Sequence, residues 1–128
     1  MGPVLGKVVA GIPLDAVEEI LDYEEISKDM AKQGEHFALQ IKGNSMEPKF
    51  SEGDVVIVRK QPDVDTGDIA VVLVNGNEAT VKKIKKTPAG VTLIPLHHSY
   101  EMINYSAAEI ESLPVRVVGK VVELRRKF

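Results

Sequence analysis

The chain has 128 residues, 44% of them hydrophobic, and a formal net charge of −3 from 16 basic and 19 acidic side chains. That length suits one core and is short for two comfortable domains, and the mild negative charge argues against nucleic-acid binding by bulk electrostatics. With no cysteine there is no disulfide framework, no thiolate nucleophile and no thiolate metal site, and a cytoplasmic location is the expectation.

Taken in chain order, residues 1–13, "MGPVLGKVVAGIP", are rich in glycine and proline and are expected to form a flexible arm, followed by a single domain over 14–128. The stretch 15–29 carries seven carboxylates and one lysine and is expected to be solvated surface. Apolar spacing from Leu14 to Leu21 also suits a helix, which leaves that segment ambiguous. Ser27 is a candidate cap for a short helix in "SKDMAKQ". Strands are then expected at 37–43, 54–60, 68–74, 78–85, 90–96 and 115–124, each short, β-branched and bounded by glycine, proline or aspartate. Asn75-Gly76 sits between the third and fourth of these and predicts a tight hairpin over 68–85 with a type I′ turn. "SAAE" at 106–109 reads as a capping box opening one helical turn. The fold expected is mostly β, a compact antiparallel domain with little helix. No apolar run approaches the roughly 18 residues of a membrane span, and neither a signal peptide nor a membrane anchor is expected.

One turn, "GNSMEPKF" from Gly43 to Phe50, places a serine between two predicted strands. Gly43, Asn44 and Ser45 are common turn residues, so Ser45 is a nucleophile only if a base lies beside it. The histidines are His36, His97 and His98. None shows a spacing to an aspartate that reads as a serine triad. Adjacent His97 and His98 would point to opposite sides of a strand, so a surface role is expected for them, with no metal site. Lysine remains, since Ser–Lys dyads are a known route to an activated hydroxyl. In "ATVKKIK" the strand period places Thr80, Lys82 and Ile84 on one face and Ala79, Val81 and Lys83 on the other. Each lysine has an apolar neighbour on its own face, and periodicity does not choose between them.

"GNSMEPKFSEGDVVIV" followed by "GDIAVVLVNGNEATVKKIKK" resembles the self-cleaving domain of the LexA and phage-repressor family, the S24 peptidases. The resemblance implies that Ser45 is the nucleophile and that Lys82, following Thr80-Val81, is the base. "VVAGIP" places Ala10-Gly11 where that family cleaves its own chain, and "LPVRVVGKVVELRRKF" resembles the end of phage-type repressors. It also implies the compact antiparallel β fold shared by LexA and signal peptidases.

The activity implied by the resemblance is intramolecular amide hydrolysis without a cofactor, with backbone N–H groups of Asn44 and Ser45 as oxyanion donors. The partners implied are a second copy of the chain, in a homodimer, and a RecA–single-stranded-DNA filament that stimulates cleavage after DNA damage. DNA would be contacted only by a helix-turn-helix domain that this sequence does not contain. Two alternatives share the fold: a UmuD-like accessory subunit of a translesion polymerase, and a non-cleaving dimerisation module of a repressor. Type I signal peptidases carry a similar Ser-Met-x-Pro pattern but need a membrane anchor.

Overall fold

The computed structural model describes residues 4–9, 23–25, 27–75 and 78–126, with side chains from Ser27 onward except Glu78. Among them run β1 (Val4–Val9), β2 (Tyr23–Glu25), α1 (Lys28–Lys32), β3 (His36–Gln40), β4 (Val55–Lys60) and β5 (Ile69–Val74). The chain continues through β6 (Glu78–Thr87), β7 (Gly90–Ile94), β8 (Ile103–Ser106), α2 (Ala107–Ser112) and β9 (Val115–Arg125). The strands lie in the order β2-β1-β3-β4-β9-β5-β6-β7-β8. Neighbours are antiparallel except β1 and β3. The expected antiparallel β domain with little helix is the fold observed.

All six expected strands form, and both short helices start where their caps predict. The Ser27 hydroxyl accepts from the Met30 N–H at the start of α1. At α2, Ser106 and Glu109 close a reciprocal capping box. The hairpin of β5 and β6 also forms, but pairing of Val74 with Glu78 leaves three residues in the connection rather than the two of a type I′ turn. Asn75 takes the positive φ expected of it, +58°.

Three strands lie outside the expectations. β8 alternates apolar Ile103 and Tyr105 with Asn104 and Ser106 but is only four residues long, with Ile103 half exposed at 52%, and β2 is a three-residue acidic "YEE"; both are too short for periodicity to announce them. β1 comprises residues 4–9 of the segment expected as a flexible arm, and it pairs with β3 in parallel, Lys7 opposite Ala38 and Val9 opposite Gln40. Its valines and leucine favour extended chain, and the otherwise open edge of β3 supplies main-chain partners. Ala10, Gly11 and the ambiguous segment Leu14–Leu21 lie outside the described residues.

β4 and β5 read as unbroken apolar runs because both of their faces are covered. Val56, Val58, Val71 and Leu73 join Leu39, Met46, Phe50 and Val81 in the main core. The other faces of the same strands pack elsewhere: Ala70 and Val72 with Ile84 and Leu93, and Val55 and Ile57 with Ala38 beneath α1.

β9 threads between β4 and β5, and its register slips on both sides, between Ile57 and Val58 of β4 and between Val71 and Val72 of β5. Such bulges sharpen strand twist. Gly119 lies between these slips. A Cβ there would sit 2.4 Å from the Arg59 carbonyl oxygen and 2.7 Å from Val58 Cγ1. Gly119→Ala is therefore expected to destabilise the domain by about 1–3 kcal/mol in chemical denaturation, whereas an unchanged midpoint would show that β9 has room there.

Candidate active site

The turn between β3 and β4 is built to hold a short exposed segment rigidly. Its base is closed where the Ile41 N–H donates to the Asp54 carbonyl and the Gly53 N–H donates to the Ile41 carbonyl, at 2.8 and 2.9 Å. Gly43 enters the turn at φ +82°, a backbone angle that side chains disfavour. The Glu47 N–H then returns to the Asn44 carbonyl at 3.1 Å, so Ser45 and Met46 occupy the corner. Met46 and Phe50 turn inward, 3% and 2% exposed, and anchor the corner in the main core.

A buried carboxylate fixes the far side of this turn. Asp54 accepts from the Ser51 N–H at 2.8 Å and from Arg126 Nε and Nη2 at 2.9 and 2.7 Å. The Arg126 hydrogen bonds hold the Asp54 carboxyl below its ordinary value, against the opposing effect of burial. The end of the chain is thereby tied to the segment carrying Ser45.

The partner of Ser45 comes from β6. That strand pairs with β5 up to Lys83 and with β7 from Lys83 onward. Among the described residues, the edge of Ala79–Lys82 away from β5 has no ladder partner. It lines a cleft of about 470 Å³, together with Ser45 and apolar side chains including Ile41, Leu93 and Ile103. Lys82 reaches along this edge, and its Nζ lies 3.0 Å from Ser45 Oγ. Lys83 is exposed, so the structure separates two lysines that strand periodicity leaves equivalent.

Two further oxygens surround the amine: Thr80 Oγ1 at 2.7 Å and the Val81 carbonyl at 3.1 Å. The carbonyl can only accept. A neutral amine has two N–H donors and one lone pair. Donation to Val81 and Thr80 leaves that lone pair facing the Ser45 hydroxyl. Burial lowers the Lys82 pKa below its ordinary 10.5, because the ammonium form loses hydration. Among the described residues no carboxylate pairs with Lys82 to offset that loss.

Thr80 is a contributor that sequence reasoning misses, although its position two residues before Lys82 on the same strand face is visible. The loop after β7 is another. Leu96 and His97 both donate their N–H groups to the Ser45 carbonyl, at 3.0 and 2.9 Å. His97 and His98 do not diverge as strand neighbours would. β7 ends at Ile94, and in the loop beyond it the two rings stack with centroids 4.7 Å apart. Of the expected oxyanion donors, Ser45 lines the cleft and Asn44 does not, and the N–H groups of both are taken by no acceptor among the described residues. The expected scissile residues Ala10 and Gly11 cannot be placed against the pair, since they lie outside the described residues.

A serine hydroxyl against a partly desolvated lysine, in an apolar cleft of an antiparallel β domain, is the arrangement of a serine-peptidase fold. Comparison with protein-family models matches residues 3–122 to the Peptidase S24-like family. The chain belongs to that family, as a peptidase-type domain of the kind found in LexA-, UmuD- and phage-repressor-like proteins. Among the described residues, no helix is long and apolar enough to cross a membrane.

The depressed lysine carries a stability signature. Between its lowered folded value and 10.5, the unfolded chain binds a proton that the folded chain does not, so stability rises with pH across that window. Lys82→Met is expected to flatten this rise in urea midpoints taken from about pH 7 to about pH 10. Identical slopes for the two proteins would mean that Lys82 titrates alike in both states.

Proposed function

We propose that this domain cleaves its own chain at Ala10-Gly11, with Ser45 as nucleophile and Lys82 as general base, and that its parent is a LexA-like or phage-type transcriptional repressor. The observation that carries the proposal is the 3.0 Å approach of a partly buried lysine amine to a serine hydroxyl. The course of β1 supports an intramolecular substrate. It runs parallel to β3 and brings Val9 opposite Gln40, the last residue of β3, from which the chain leads on through Ile41 and Lys42 to Ser45. The edge of Ala79–Lys82, unpaired among the described residues, offers main-chain groups to an extended segment, and the apolar cleft walls suit residues as small as Val8, Val9 and Ala10.

In the proposed reaction Ser45 Oγ attacks the Ala10 carbonyl carbon while neutral Lys82 accepts the hydroxyl proton. The backbone N–H groups of Asn44 and Ser45 stabilise the oxyanion of the tetrahedral adduct. Collapse breaks the C–N bond, and Lys82 delivers its proton to the departing Gly11 amine. Ala10 is left as an ester on Ser45. Water then attacks this ester with Lys82 again as base, releasing the Ala10 carboxylate and restoring the hydroxyl. Tethering removes most of the entropic cost of bringing substrate to nucleophile, so the reaction is governed by how often the cleavage segment docks. A RecA–single-stranded-DNA filament would act by binding the docked state more tightly than the undocked one. The repressor would function as a homodimer, placing two separate DNA-binding heads on a two-fold operator.

Below the Lys82 midpoint the self-cleavage rate should rise by about tenfold per pH unit and level off above it, as the base loses its proton. Mass spectrometry should show loss of residues 1–10, with Ser45→Ala and Lys82→Ala each slowing it by about a thousandfold or more. A chain that stays intact through alkaline incubation would instead support the non-cleaving dimerisation module.

A further inference from the structure

Ser45 depends on more than its lysine. Its carbonyl oxygen is held by two successive main-chain donors, the N–H groups of Leu96 at 3.0 Å and His97 at 2.9 Å. The preceding residue is held by the same loop, since the Tyr100 hydroxyl donates to Asn44 Oδ1. Between these two grips the loop is folded on itself. The Tyr100 N–H donates to the His97 carbonyl at 3.1 Å, and the Ser99 N–H donates to His97 Nδ1 at 3.1 Å. The Tyr100 ring stands edge-on to the His97 ring, with centroids 5.7 Å apart. Leu96 packs into the main core and fixes the near end of the loop.

From this geometry we infer that Tyr100 is a positioning residue for Ser45, the outer jaw of a clamp whose inner jaw is the Leu96–His97 main chain. The inference rests on the Ser45–Lys82 reading above and assigns a residue to it that touches neither reacting group. The physical reason is that a turn corner has rotational freedom about the peptides on both sides of the nucleophile. Fixing the Ser45 carbonyl sets the peptide that follows it. Fixing the Asn44 side chain restrains the residue before it, whose N–H, like that of Ser45, is taken by no acceptor among the described residues. Misplacement of a nucleophile by a fraction of an ångström is costly to rate, whereas one hydrogen bond at a half-exposed site adds little to global stability. Tyr100 is 46% exposed, as expected of a side chain retained for its hydroxyl rather than for core packing.

The test is a double-mutant cycle of Tyr100→Phe, Asn44→Ala and the pair, with two rates followed at one alkaline pH: self-cleavage, and labelling of Ser45 by a fluorophosphonate. Each single substitution should slow both rates by roughly three- to tenfold, and the double variant should be no slower than the slower single. The pH midpoint of the rate and the thermal midpoint should stay at the wild-type values, which a merely structural role for Tyr100 would not allow. Unchanged rates in Tyr100→Phe, or single effects that multiply in the double variant, overturn the clamp. A wild-type chain that neither cleaves nor takes the label defeats the Ser45–Lys82 reading instead. The clamp is then decided by hydrogen exchange at the Leu96 and His97 amides: faster exchange in Tyr100→Phe upholds it, and equal exchange rejects it.

Discussion

An ammonium group in water is hydrated on all its donors, and pressing it against apolar walls removes that hydration unless a counter-charge replaces it. At Lys82 the surroundings supply oxygens but, among the described residues, no carboxylate partner. The proton is therefore held less tightly, and burial alone accounts for the direction of the shift. The same packing that weakens the proton directs the nitrogen at Ser45 Oγ, 3.0 Å away, with Thr80 and Val81 taking its remaining donors. A base and its hydroxyl are thus produced together by one placement of one side chain, and the proposed chemistry depends on that placement.

The sheet makes this placement possible by how long β6 is. Its first half pairs with β5 and its second half with β7, so among the described residues one edge is left open where Lys82 lies. The turn carrying Ser45 approaches from the other wall of the cleft and is fastened from three directions. Met46 and Phe50 sink into the core, Asp54 binds Arg126 at the end of the chain, and the Ser45 carbonyl takes two N–H groups from the loop after β7. Fastening from distant segments gives the hydroxyl a fixed position without burying it. It also makes the site sensitive to residues far away in sequence.

Local features were the legible part of the sequence. Uninterrupted apolar runs at β4 and β5, an Asn75 suited to positive φ, and serine caps at 27 and 106 all obey short-range rules, and each appears in the structure. The turn holding Ser45 was visible for the same reason. Strand periodicity could not choose between Lys82 and Lys83, since that choice depends on where β7 begins to pair and on what stands opposite. Strand alternation carried past Ile94, the last residue of β7, misplaces the rings of His97 and His98. β1 depends on a neighbouring strand edge rather than on a pattern of its own, and the alternation of β8 spans only four residues. Contacts such as Arg126 with Asp54 or Tyr100 with Asn44 join residues with no local relation, and no periodicity marks them.

The most direct measurement is an NMR titration of the Lys82 side chain, followed through its ε-carbon signal in the Ser45→Ala protein so that the chain stays whole. The expected result is a Lys82 midpoint clearly below 10.5. A Lys82 midpoint at or above 10.5 would contradict the lysine-base mechanism, because the amine would then be as well hydrated as a lysine in water and would be protonated at neutral pH.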